Sequence, residues 1–423
     1  MVKRYSNNSV FIAAICCIIL FYSGIIKVRG RNIFSCIIPK NQINQLCGQL
    51  ISSPSKCSDG KYYKSLLRVN SAVSLNGIKG SSKGDVTVYI PAESVEAFYP
   101  GKLYSQSNSD KAAGAFLWEA GGIYNVAGRF SNKDSSFYIS RCFASDFPKT
   151  FYGRIDYFRA LCRLQFKRLM YSWGLAGGLL LALLCGAKEY TSSDISLSFK
   201  NAGLSHILAL SGMHLSMFSG IAMFFGKKIK RKKLSFLIRV TAIVLFVWFA
   251  GLSPSLMRAF ICSLLTIIAA HANVEKPDML IILAFSFLCQ TIIAPQDIYS
   301  TAFILSYTAL AGILLTNAFF RSLYIKFMPS YFANSLGSST GAQVFTAPVS
   351  IYLFGSFSPV GIVATTVVSP FVTIFIYSGL ALIILSLVLP ILSVPSGIFM
   401  NLLYTVVKFL VSFFAKAPVW RIN

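Results

Sequence analysis

Residues 203–233, GLSHILALSGMHLSMFSGIAMFFGKKIKRKK, and residues 250–260, AGLSPSLMRAF, bound the stretch on which the reading turns. Two of the three histidines, His206 and His214, stand inside an otherwise apolar run, six basic residues in seven follow it, and Arg258 sits within a second apolar run. A charged side chain at membrane depth costs at least about 2.5 kcal/mol, so it faces protein or water rather than lipid. The stretch is therefore both the membrane signal and the first place to look for function.

The rest of the chain agrees. Its 423 residues are 55% hydrophobic and only 13% charged, with mean hydropathy +0.64, too many long apolar runs for one soluble core. The composition describes an α-helical multi-pass membrane protein. Lys plus Arg outnumber Asp plus Glu by 39 to 14, a net charge of +25. Positive-inside loops account for part of that excess, and an anionic partner, nucleic acid or acidic lipid headgroups, would account for more.

Residues 10–26, VFIAAICCIILFYSGII, are long enough for an anchor, and basic Lys27, Arg29 and Arg31 follow in place of a small-residue cleavage site. Residues 1–31 are accordingly read as a retained transmembrane anchor. Residues 32–150 turn polar, with short β-prone runs such as GDVTVYIP and SSFYISRCF between turn residues. The spacing predicts a small antiparallel barrel or sandwich of OB-like size. Between residues 27 and 168 there are 21 Lys or Arg against 9 Asp or Glu. A basic barrel with Lys61, Tyr62, Tyr63, Lys64 and Arg68 on its surface, and Phe98 and Tyr99 nearby, suits single-strand binding by backbone attraction and base stacking. The alternative is that the aromatics pack the barrel and the charges solvate it.

Residues 151–173 place Ile155, Phe158, Leu161, Leu164 and Leu169 on one helical stripe, with Arg154, Arg159, Arg163, Lys167 and Arg168 elsewhere. That is the pattern of an interfacial helix whose basic side meets headgroups or a polyanion. Residues 174–423 form the membrane domain. Its first apolar run, 175–186, is short and is read as re-entrant or tilted. Spans follow at 204–225, 234–251, 255–270, 279–294, 300–317, 341–355, 360–389 and 398–415, and the seventh carries Pro370 and is expected to break there. The basic loop 226–233 predicts a cytoplasmic side shared with Lys276, Arg321 and Lys326. The alternate loops, near Ser253, 296–297 and 356–358, lack Lys and Arg.

Candidate chemistry is sparse. Ser211 and His214, three apart, would share a helical face, with His206 on a nearby one. They admit three readings: an intramembrane serine hydrolase, interhelical hydrogen bonding, or the lining of a path. Arg258 either snorkels to the interface or faces water and meets passing anions, and Gln343, Gln290 and Asn317 are weaker candidates of that kind. No zinc spacing, CxxC pair or acidic cluster is present, so no metal or cofactor is expected. Without a GxxxxGK[ST] loop the chain does not hydrolyse nucleotide, and any driving force comes from partners or a gradient. Were the polar region outside the membrane, a Cys47–Cys57 disulfide would be open to it.

GLSHILALSGMHLSM resembles the H-L-L-A-[IV]-S-G-[LM]-H segment of the ComEC family of competence proteins. In order, AGLSPSLMRA is similar to the family's A-G-x-S-P-x-x-x-R-A, PQDIYSTAFILSYTALAGILL to its P-x7-F-x-L-S-[FY] segment, and AQVFTAPVSIYLFGSFSPVGIVATTVVSPFV to its A-Q-x-x-T-x-P and F-G-x-F-S-x-x-G block. These matches span residues 175–372. The resemblance implies a channel, not an enzyme, that carries single-stranded transforming DNA across a bacterial cytoplasmic membrane, with an extracytoplasmic OB-type domain. His206, Ser211, His214, Arg258 and Gln343 would stand along its path. It also implies a DNA receptor outside, a helicase or ATPase inside, membrane lipids around it, and association with further copies. Many members continue into a metallo-β-lactamase-like domain. None is seen before Asn423, which implies a shortened form served by a separate nuclease. The same basic interface leaves open a transporter or scramblase for an acidic lipid or small anion.

Overall fold

The computed structural model describes residues 8–26, 34–57, 59–101, 103–104, 116–131, 135–187, 189–209, 212–227, 232–274 and 277–421. Helix α1 (Ser9–Tyr22) is capped by Asn8, whose side chain accepts from the Val10 and Phe11 amides. Its 14 residues reach only about 21 Å at 1.5 Å per residue, against about 30 Å of hydrocarbon. Within the predicted anchor, this helix packs on the helical domain: Ala14 and Phe21 are buried with Cys262, Ile282 and Phe287, and the Tyr22 hydroxyl donates to the Ile298 carbonyl.

Among the described residues, eight strands make one sheet: β1 (Ser35–Cys36), β2 (Ile43–Leu50), β3 (Ser55–Lys56), β4 (Tyr62–Ser74), β5 (Lys79–Lys83), β6 (Asp85–Pro91), β7 (Ile123–Phe130) and β8 (Phe137–Asp146). The pairings β2 to β4, β4 to β6, β6 to β8, β8 to β7 and β7 to β2 return to their start, so five strands close on themselves. Closure removes most of the free edge. It depends on one parallel pairing, β6 with β8, where a wholly antiparallel sheet was expected. Alternation turns Tyr63, Leu67, Val88, Ile90, Tyr124, Val126 and Phe137 inward, and α2 (Ala92–Glu96) leads out of β6.

Helix α3 (Phe151–Ser172) joins this domain to the helical one. Next comes α4 (Gly174–Cys185), a regular helix with residues 176–184 all buried, ending on Gly186 in the left-handed region. Twelve residues rise about 18 Å. The run predicted to be re-entrant or tilted is therefore a short helix enclosed by its neighbours, and it forms the centre of the largest core together with Phe199, Phe375, Tyr404 and Val407.

The run 204–225 is not one helix. After α5 (Ser193–Asn201) the chain forms α6 (Ser205–Leu208) and then α7 (Gly212–Lys227), with Ala209 extended between these last two. Helices α8 (Lys232–Ala250), α9 (Pro254–His271), α10 (Met279–Ile293), α11 (Thr301–Tyr324), α12 (Ser330–Phe354), α13 (Gly361–Val388) and α14 (Ser393–Phe414) follow. Among the described residues five segments, built on α8, α9, α11, α13 and α14, are long and apolar enough to cross a membrane, and the chain is a multi-pass membrane protein. Helix α13 runs unbroken through Pro370, contrary to the predicted break. Neighbouring helices hold it, since Val368, Val372 and Phe375 are fully buried, and a bilayer offers the backbone no water to break towards. Short strands β9 (Ser356–Phe357) and β10 (Trp420–Arg421) pair beyond α12.

Helices α11 and α12 form a hairpin in contact through small residues. A Cβ on Gly312 would clash with the Gly341 carbonyl oxygen, a backbone contact no rotamer relieves. Gly312→Ala is expected to cost about 1–3 kcal/mol by overpacking, read as a lower thermal midpoint of the detergent-purified protein. Gly220→Ala, whose Cβ would meet only the Tyr377 hydroxyl at 3.8 Å, should leave the midpoint unchanged.

Candidate functional site

Two polar clusters lie in the helical domain, and the distinctive sequence segments converge on them. In the first, the His206 ring bonds to the Gly203 carbonyl, and a Cβ on Gly203 would touch Gly361 at 2.9 Å. A Cβ on Gly361 would stand 2.7 Å from Gln343 Nε2, and Ser358 Oγ donates to the Asn201 carbonyl at 2.8 Å. Gln343 Oε1 is buried with no hydrogen-bond partner among the described residues. His206 is exposed on the short helix α6.

The second cluster centres on Arg258 of α9, 9% exposed. The helix is started for it by Ser253, whose hydroxyl caps the Leu256 amide, and by Pro254 at its first position. Arg258 Nη1 donates to the Ser306 carbonyl of α11, and its guanidinium lies 6.0 Å from the Tyr307 ring centre. Its Nε has no partner among the described residues, and no carboxylate there pairs with it. Nη2 would be 3.0 Å from a Cβ on Gly212, so the glycine of the SGMH segment leaves the guanidinium room. Tyr307 donates to Gln290 Oε1 at 3.1 Å, and Gln290 Nε2 donates to the Pro254 carbonyl at 2.9 Å and to Asp297 Oδ2 at 3.3 Å.

The predicted path residues thus divide. His206 and Gln343 share one cluster, and Arg258 anchors the other. His214 is fully enclosed, so it presents no accessible surface to a path. Ser211 lies outside the described residues, as do 228–231 of the basic loop and Lys276, and His206 and His214 are on separate helices rather than on adjacent faces of one.

The basic helix departs most from expectation. Arg163, Lys167 and Arg168 are buried. Arg163 Nε pairs with Glu119 Oε1 at 3.2 Å; Lys167 Nζ reaches Glu119 Oε1 at 3.3 Å and Glu189 Oε1 at 3.1 Å. Arg163 Nη1 also donates to the carbonyls of Phe249, at 2.7 Å, and Ala250, at 3.2 Å, closing the negative end of α8. Lys167 donates to the Tyr99 hydroxyl and Arg168 to the Phe98 carbonyl. These three cations are spent inside the protein and do not face headgroups or a strand. Arg154 is exposed and Arg159 half-buried. In the β domain Tyr63 is also corrected: it is fully buried, its hydroxyl donating to Glu96 at 2.7 Å, while Lys61, Lys64 and Arg68 are exposed and Tyr62 half-buried. Cys47 and Cys57, for which a disulfide was left open, are free thiols in this structure, as are the other cysteines.

Burial pushes the Glu119 carboxyl up, but the charges of Arg163 and Lys167 and the Ser53 hydrogen bond outweigh it and hold the group at about 2.

A membrane domain with a buried arginine that no described carboxylate pairs and a helix-broken histidine segment, joined to a closed β domain, defines the class. The comparisons give the family. A family model described as Competence protein matches residues 183–423, more than half of the chain, which belongs to that family. The chain is also similar to ComE operon protein 3 of Bacillus subtilis (strain 168), 24% identical over 208 residues, covering 48% of this chain and 25% of that protein. The match thus spans about a quarter of the relative's length. No solved structure matches.

Two outcomes follow from the buried ion network. Lys167→Met leaves Glu119 and Glu189 short of a cation, and should cost about 3–5 kcal/mol, seen as faster amide exchange along α3. Acid has a defined sign: a carboxyl held at about 2 against an ordinary 4.5 stabilises the fold above the higher value and loses that contribution as pH falls between the two. Exchange protection of α3 should hold down to about pH 4.5 and decay below it.

Proposed function

We propose that the chain is a conduit, not a catalyst, through which single-stranded DNA crosses the bacterial cytoplasmic membrane during competence. Arg258 carries the reading. A guanidinium stays charged at any physiological pH, and here it is buried against a carbonyl, an aromatic face and the Cβ-less Gly212, with no carboxylate partner among the described residues. An anion reaching the guanidinium would complete its hydrogen bonds, since Nε has no partner among the described residues. Membership of the competence family supports DNA as the polymer, so that a phosphate at this depth would belong to a strand in transit. His206, which is exposed, and Gln343, whose buried Oε1 has no partner among the described residues, would offer further transient contacts.

In the same reading the β domain lies outside, the Arg321 and Lys326 end lies in the cytoplasm, and a receptor, a nuclease and an ATPase act alongside. Sparse charge suits transport. A continuous cationic stripe would hold a polyanion rather than release it.

Uptake of labelled DNA by a competent strain tests this. Arg258→Gln, at unchanged membrane abundance, is expected to cut internalised strand by about tenfold or more, the equivalent of one charged hydrogen bond. Arg258→Lys should retain part of the uptake. Normal uptake by the glutamine variant would sink the conduit.

A further inference from the structure

Strand register on the outer face of the closed sheet lines up four residues from four strands. Lys64 of β4 stands opposite Tyr89 of β6, Tyr89 opposite Tyr138 of β8, and Tyr138 opposite Arg129 of β7. Cross-strand partners point to the same face, and the neighbours Tyr63, Val88, Ile90, Phe137 and Ile139 are all buried on the other. The two central rings are stacked, 4.7 Å between centres and 14° apart. Tyr62 stands edge-on to both, at 5.5 Å from Tyr138 and 6.4 Å from Tyr89. The rings are half-buried and the cations at each end of the row are exposed.

Beside the rings is a cleft of about 450 Å³ lined by Cys57, Asp59, Tyr62, Tyr89 and Tyr138, large enough for a nucleotide-sized group. A ring cluster of this kind would also suit an ammonium ion. The flanking Lys64 and Arg129, with Lys61 nearby, make the field positive and argue against that occupant. Asp59 at the rim repels phosphate, which orients any bound strand with its backbone toward Lys64 and Arg129 and its bases toward the tyrosines.

We propose that this face is a single-stranded nucleic-acid platform, in which a base extends the Tyr89–Tyr138 stack and Lys64 and Arg129 take the flanking phosphates. The proposal deepens the conduit reading, from which it takes the identity of the polymer, and assigns the strand's first docking site to Tyr89, Tyr138 and Arg129 as well as to Tyr62 and Lys64. Rings supply sequence-tolerant attraction, since every base has a π-face, and the two cations supply the salt dependence.

The test is equilibrium binding of a fluorescent single-stranded oligonucleotide, about 12 nucleotides to match one OB-sized site, to the full chain in zwitterionic nanodiscs, followed by anisotropy across a salt series. Tyr138→Leu keeps apolar bulk without the aromatic face. It should weaken binding about tenfold, and Tyr138→Phe should bind as wild type. Replacing both Lys64 and Arg129 with Gln should lower the slope of log affinity against log salt by about 1–2. Equal affinity for the Leu and Phe variants, or heparin and acidic-lipid vesicles competing as well as a single strand, would overturn the platform in favour of simple charge attraction. Binding here requires no translocation. Failure of the platform leaves the Arg258 uptake result standing, and loss of the conduit leaves the binding difference standing.

Discussion

Glu119, clamped between Arg163 and Lys167, holds the two halves of the molecule together. The carboxylate comes from the loop before β7, the cations come from α3, and the same Arg163 closes the carbonyl end of α8. With Glu189 included, two acids face two bases, so the cluster is near neutrality. That balance is what makes burial tolerable: each desolvated ion is offset only by its partners, and removing one leaves the rest uncompensated. The β domain is thereby fixed to the membrane domain by charge, with Trp173 and the buried run of α4 packed directly behind it.

This use of α3 changes where the chain's positive charge is available. A helix with five basic residues looks like a ligand surface, yet three of the five are satisfied internally. On the side of the β domain, what remains exposed lies on the strands, at Lys64, Arg68, Lys79, Lys83, Arg129 and Arg141, and on Arg154, so a polyanion arriving there would meet the sheet before the buried cations of the helix. Arg258 shows the contrast within one residue type. Arg163 has a carboxylate and two helix carbonyls, whereas Arg258 has one carbonyl and a tyrosine face. The first is a structural rivet by its partners, and the second has capacity left over.

Much of the helical domain was legible because hydrophobic runs of membrane length do not fit a soluble core, and the positions of α8, α9 and α11 follow from them. Helix continuity was less legible. Pro370 suggested a break by its missing amide, but packing around Val368 and Val372 overrides that local cost, while the chain parts at Ala209, where no proline marks it. The stripe on α3 misled for a different reason: cations turned to buried acids have the same spacing as cations turned to phosphates. Only the distant Glu119 and Glu189 separate the two cases, and periodicity contains no information about them. Adjacent Tyr62 and Tyr63 were separable in principle, since the pleat sends neighbours to opposite faces. Tyr89 and Tyr138 were not, because their meeting depends on the parallel β6 to β8 register.

That parallel pairing also connects the fold to its surface. An antiparallel neighbour for β6 would leave the sheet open or place a different strand beside it, and the Lys64, Tyr89, Tyr138, Arg129 row would not exist. Closure of the sheet and creation of the row are one event, because the two residue pairs that join β6 to β8 are Val88 with Phe137 and Tyr89 with Tyr138. The first pair is fully buried and supplies the hydrophobic energy of closure. The second faces outward and supplies the stacked rings. A mutation that weakens the inner pair should therefore erode the outer surface too, whereas changes to the outer rings leave the inner pair, and with it the closed sheet, in place.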